Sequence, residues 1–129
     1  RKVSKIEFEN IRKAKHCAEM TGVLDIGQAV VVKYGRVVAI EAAEGTDAML
    51  ERVATIAGIS SKRGGVFLKS AQIDQDERVD MPTIGIETIK NIIKANLSGV
   101  AITANNVIVL DFQKVVEMIE ESNLYFIVI

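Results

Sequence analysis

The chain has one cysteine, one histidine, one proline and no tryptophan, and aromatic residues fill only 5% of its 129 positions. A lone Cys17 excludes a disulfide framework within the chain, and Cys17 with His16 is too small a ligand set for a Cys/His zinc site. Lysine and arginine number 16 against 17 aspartates and glutamates. The resulting net charge of −1 excludes the strongly basic footprint of a nucleic-acid binder. No apolar run reaches the roughly 18 to 20 residues of a bilayer-crossing helix, and no signal peptide is visible. Cysteine usage and the missing signals point to a cytoplasmic setting. The chain opens on Arg1 rather than Met and closes on the apolar "LYFIVI", so the expectation is a fragment whose N-terminal part is missing.

What the chain does have is aliphatic surface. Hydrophobic residues make up 49% of a length that suits one domain, and a single domain over residues 1–129 is expected. In residues 7–20, Phe8, Ile11, Ala14 and Ala18 recur at helical spacing, with Gly22 as a stop. "QAVVVK" and "RVVAIE" are β-branched runs joined by Tyr34-Gly35, which predicts a tight hairpin. Met49, Leu50, Val53 and Ile56 predict a helix over residues 47–57 that ends at Gly58. "GVFLKSA" reads as a buried strand, and isoleucines at 86, 89, 92 and 93 mark a helix over residues 86–95. "GVAIT" and "VIVLD" read as strands separated by an Asn105-Asn106 turn; Phe112, Val115, Val116 and Ile119 mark a helix before the strand "YFIVI". Helices alternating with short aliphatic strands define the α/β class, here a layered domain with a mixed β-sheet packed by helices.

Two segments carry candidate chemistry. "QIDQDERVDMPTIG", residues 72–85, holds Asp74, Asp76, Glu77 and Asp80 in an irregular connection longer than the usual few residues. Carboxylates are hard ligands for Mg²⁺ or Mn²⁺, which take one or two of them and fill the remaining positions with water and substrate phosphate. On residue type alone the solvated-charge reading leads, with Asp80 supporting the turn at Pro82. "IEAAEGTDAML", residues 40–50, gathers Glu41, Glu44, Thr46 and Asp47 where the hairpin runs into a helix. An N-cap and a first-turn acid account for that composition; so does a phosphate held at the helix N-terminus, provided a metal lies between it and the carboxylates.

Other candidates are weaker. Lys69 ends a buried strand and could meet a phosphate or simply snorkel. Asp25 and Gln28 in "LDIGQ" suit a turn or a polar ligand. "SKRGG" lacks the spacing of a Walker A loop. His16 reads as a helix-surface residue and Cys17 as a packed thiol.

Taken together, "DIGQAVVVKYGRVVAIEAAEGTDAML", "RGGVFLKSAQIDQDERVDMPTIG", "GVAI" and "VIVLD" resemble the C-terminal domain of the bacterial UDP-2,3-diacylglucosamine pyrophosphatase of lipid A biosynthesis. This is the family unrelated to the calcineurin-like phosphoesterases that perform the same step. "EGTD" followed, beyond a strand, by "QDxRxDxPTIG" is the specific pair of signals. The resemblance implies a magnesium-dependent hydrolase, with manganese as an alternative, that cleaves UDP-2,3-diacylglucosamine to UMP and 2,3-diacylglucosamine 1-phosphate through water attack at the α-phosphorus. It also implies an N-terminal partner domain, a UDP-sugar lipid as substrate, a cytoplasmic location in Gram-negative bacteria with peripheral contact at the inner membrane, and compatibility with an oligomer.

On this reading Asp80, Asp76 and Arg78 are the candidate catalytic residues. Gln28, Thr46, Lys69 and Thr83 are the candidate substrate-binding residues, and Asp80, Glu44 and Asp47 the candidate metal ligands. Asp74 and Glu77 keep the solvated-charge reading. The reading from another class is a noncatalytic nucleotide- or sugar-phosphate-binding regulatory module.

Overall fold

The computed structural model describes residues 1–56, 58, 61–71, 82–103 and 107–129. The "KYGR" hairpin is formed as the sequence predicts. Strand β1 (Ala29–Lys33) pairs antiparallel with β2 (Arg36–Ile40), and Tyr34 and Gly35 both take positive φ, 55° and 69°. Those are the left-handed conformations a two-residue type I′ turn demands. The next strand, β3 (Val66–Lys69), pairs antiparallel with β1; β5 (Gly99–Ile102) and β7 (Tyr125–Val128) then extend the sheet in parallel. The order is β2-β1-β3-β5-β7, a mixed five-stranded sheet.

Strands β1, β3 and β5 are buried along their whole length, so both faces of the sheet are covered. Helix α1 (Lys5–Val23) covers one face with Ile11, Ala14 and Ala18 against Val30, Val32, Val66, Leu68, Ala101 and Tyr125. Helices α2 (Thr46–Thr55), α3 (Ile86–Lys94) and α4 (Phe112–Glu121) cover the other. There Met49, Leu50, Val53, Ile89, Ile92, Val115 and Ile119 meet Val31, Phe67, Val100 and Leu124. The layered α/β fold with a mixed sheet is therefore the expected one.

Three local expectations change. Phe8 does not join the α1 stripe; it is 48% exposed, and Asn10 and Thr21 are buried instead. Asn10 is placed there because its side-chain oxygen accepts the Gly35 amide at 2.9 Å and so ties α1 to the hairpin turn. Phe112, at the start of α4, is also exposed. Of "VIVLD", only Ile108–Val109 is strand (β6). It pairs in parallel with β4 (Thr83–Ile84), a short strand the alternation did not reveal, in a separate two-stranded sheet. The Asn105-Asn106 turn lies outside the described residues.

Tyr125 is fully buried on the α1 face, and among the described residues its hydroxyl has no hydrogen-bond partner. Burial, and then the nearby Glu7 carboxylate, push its phenol well above the usual range. An unsatisfied buried hydroxyl carries a desolvation penalty that phenylalanine avoids. Tyr125→Phe is expected to be more stable by about 1 kcal/mol in urea unfolding; a loss of that size would show that the hydroxyl has a partner.

Candidate functional site

The antiparallel start of the sheet decides which ends meet. Because β3, β5 and β7 run together and β1 runs against them, the carboxyl ends of β2 and β3 and the amino end of β1 share one edge. Gln28, Glu41 and Lys69 are thereby neighbours in the fold: Ser70 donates its amide to the Gln28 carbonyl at 2.8 Å, and Glu41 donates its amide to Ala29 at 2.9 Å. Crevices outside the carboxyl ends of parallel strands are where α/β sheets bind ligands.

The N-termini of α2, α3 and α4 come to this edge. Their cap residues are Gly45, Gly85 and Asp111, and among the described residues no side chain hydrogen-bonds the first-turn amides of any of them. Helix α1 differs: Ser4 and Glu7 form a reciprocal capping box. Uncapped first turns leave backbone N–H donors and a positive dipole end facing whatever lies beyond them. What lies beyond is an open cleft of about 700 Å³ whose walls include Thr46, Asp47, Lys69, Thr83, Gly85 and Asp111.

Lys69 is the buried cation of the cleft, which exposed Lys90 also lines. It is 7% exposed, and its ammonium donates to the Thr83 carbonyl at 2.9 Å and to the Thr46 hydroxyl at 3.2 Å. Burial holds its pKa below the ordinary lysine value, while Glu41 and Asp47 oppose that shift. Two of three ammonium protons are engaged among the described residues, and the side chain lines the cleft. A buried cation beside helix N-termini is suited to phosphate oxygens.

The structure brings Thr46, Asp47, Lys69 and Thr83 into one cleft, with Gln28 at the same sheet edge. Asp47 is held by the Asn91 amide at 3.1 Å. Glu44 is paired with Arg52 at 2.9 Å, which lowers its carboxyl pKa. Asp74, Asp76, Glu77, Arg78 and Asp80 lie outside the described residues. Two contributors carried no role in the sequence reading. Asn91 has no local signal, since it comes from a helix 44 positions away. Glu41 directly follows β2 and stands just before "EGTD", and that adjacency was its signal. His16 is exposed, and Cys17 is half-buried with its thiol pushed up by burial, as expected of residues without a chemical role.

Among the described residues no group of three histidine, cysteine or carboxylate side chains converges on a metal position. Asp47 offers the cleft one carboxylate, which fits a Mg²⁺ ion held mainly through phosphate and water.

Fold and cleft define the class: a three-layer α/β domain with a cleft at one sheet edge lined by a buried lysine and the N-termini of three helices. Residues 1–127 match the family model of the LpxI C-terminal domain. The chain is also 42% identical over 120 residues to the UDP-2,3-diacylglucosamine pyrophosphatase LpxI of Caulobacter vibrioides, an alignment covering 90% of this chain and 43% of that protein. The chain belongs to the LpxI C-terminal domain family, and it spans less than half the length of this relative.

Proposed function

We propose that the cleft binds and hydrolyses the diphosphate of UDP-2,3-diacylglucosamine, releasing UMP and 2,3-diacylglucosamine 1-phosphate. The observation that carries this is the buried Lys69 ammonium set among helix N-termini that no described side chain caps; the relative's name supplies the substrate. Lys69 and the first-turn amides of α2 and α3 bind the diphosphate oxygens and take up charge as it develops on them. Gln28, Thr46 and Thr83 are the hydrogen-bonding partners of the substrate's polar groups. Arg78 adds a bidentate fork to the phosphate. Asp80, with Asp76 beside it in sequence, takes the proton of the attacking water; the new bond forms at the α-phosphorus and the bond to the bridging oxygen breaks.

Magnesium, or manganese in its place, neutralises the diphosphate and polarises the attacked phosphoryl group when bound. Asp47 and Asp80 would hold it, and Glu44 would join them only by leaving Arg52. The N-terminal domain expected from the relative's greater length closes the cleft over the uridine and the acyl chains. The acyl chains require contact with the membrane face, and no helix among the described residues is long and apolar enough to cross a membrane.

The test is UMP release by the full-length protein from UDP-2,3-diacylglucosamine, with Mg²⁺ and after chelation. Release with the metal and none after its removal is expected. Substrate retained without UMP under either condition would sink the hydrolase reading and leave a binding module.

A further inference from the structure

Lys69 meets the cleft through an oriented hydrogen-bond chain. The Thr46 hydroxyl has one proton, and it goes to Glu41 Oε2 at 2.6 Å. Its lone pairs therefore face Lys69 Nζ at 3.2 Å, and the hydroxyl can only accept there. A threonine hydroxyl whose proton is committed to a carboxylate is polarised as an acceptor, and hydrogen bonds in such chains strengthen one another. Glu41 itself is fixed by backbone. Its amide bonds Ala29 at 2.9 Å, and Gly27 closes over it so tightly that a Cβ at position 27 would lie 1.9 Å from the Glu41 carbonyl oxygen.

The second Lys69 bond, to the Thr83 carbonyl, reaches the residue two positions before the α3 cap Gly85. The chain from Glu41 to Thr83 therefore links the starts of α2 and α3 through one ammonium group. Other charged groups on the cleft walls are Asp47 on α2, Glu87 and Lys90 on α3, and Asp111 at α4. Asp47 is engaged by Asn91, and Glu87 is paired with Lys90 at 3.3 Å. Glu41 is the carboxylate whose hydrogen bonding runs to Lys69.

We propose that Glu41 is a positioning residue of the cleft: acting through the Thr46 hydroxyl, it fixes the Lys69 ammonium between the N-termini of α2 and α3 and so sets the affinity for phosphate. This rests on the phosphate-binding reading of the cleft, and the two are separable by experiment.

In the full-length protein, ¹⁵N-edited spectra of lysine ammonium groups report whether Lys69 is held. Lys33, buried at the opposite end of β1 and bonded to the Asn96 carbonyl at 3.2 Å, is the internal control. The expected result is a Lys69 signal that Glu41→Gln and Thr46→Val each abolish and Thr46→Ser retains, with the Lys33 signal unchanged. Calorimetry with inorganic pyrophosphate should show about a tenfold weaker affinity for Glu41→Gln and for Thr46→Val, and no further loss when they are combined. Glu41→Gln should have no effect in a Lys69→Met background. A Lys69 signal that survives Glu41→Gln, or an equal effect of Glu41→Gln with and without Lys69, would overturn the proposal. If the spectra respond as expected and pyrophosphate binds neither the parent protein nor the variants, the positioning chain stands and the phosphate reading falls.

Discussion

Lys69→Met is expected to weaken pyrophosphate binding about a hundredfold, still within reach of calorimetry, and to lower kcat/KM by about a thousandfold, without lowering stability. The substitution keeps an unbranched stem of similar reach at a residue that is only 7% exposed, so packing is conserved. It removes the charge that burial disfavours, and the Thr83 carbonyl lies on an exposed residue where water can replace the ammonium. Lys69→Arg should not restore function, because the forked guanidinium cannot occupy a point-charge site between the Thr46 hydroxyl and the Thr83 carbonyl.

The pH dependence separates lost charge from lost fold. Burial makes Lys69 release its proton at a lower pH in the folded chain than in the unfolded one. Between those two values the unfolded chain binds more protons, so this group makes folding more favourable as pH rises toward 10.5. Phosphate binding runs the other way, weakening as pH rises through the folded Lys69 pKa. Parallel titrations of affinity and of urea midpoint should therefore diverge in the parent protein, and Lys69→Met should reduce both slopes, with buried Lys33 still contributing to the second. Affinity and midpoint falling together in Lys69→Met would show that the lysine is structural.

Gly99→Ala is expected to cost about 3 kcal/mol and to lower Tm by about 10 °C. Gly99 pairs with Tyr125 across β5 and β7, and a Cβ there would lie 2.2 Å from ring carbons of Tyr125. Nothing can give way easily. Tyr125 is fully buried, and β7 is held in register along β5 by three further residue pairs. Tyr125→Phe should not rescue the variant, since the atoms met are ring carbons and not the hydroxyl. Thermal unfolding of the two single variants and the double variant checks this; an unaltered Tm in Gly99→Ala would show that β7 can slide.

The helices and the hairpin were legible because their signals are local. Two positive φ angles at Tyr34-Gly35 need only the turn, and the α2, α3 and α4 stripes need only their own spacing. Phe8 and Phe112 misled for the same reason: apolar character marks what can be buried, and the partner surface decides what is. Strand β4 is too short for any periodicity, and its pairing with Ile108–Val109 is set by the chain beyond both. At the site, "EGTD" and Lys69 could each be noticed alone. That Lys69 reaches Thr46, 23 positions away, follows from β3 lying beside β1, and strand order is not written in any one segment. Glu41 and Glu44 both flank the same helix start, and sequence alone assigned the ligand role to Glu44. Only the pairing of β2 against β1 turns the first toward Thr46, whereas the second meets Arg52.

Leu124 and Tyr125 are consecutive, yet one fills the core beneath α2, α3 and α4 and the other the core beneath α1. Leu124 stands immediately before β7 and Tyr125 opens it; neighbours along an extended chain point to opposite faces, so a single short segment contributes to both cores. Withdrawing that segment from one core pulls on the residue that fills the other. The two layers are accordingly expected to open together, so that loosening α1 from the sheet also loosens the helices whose N-termini line the cleft.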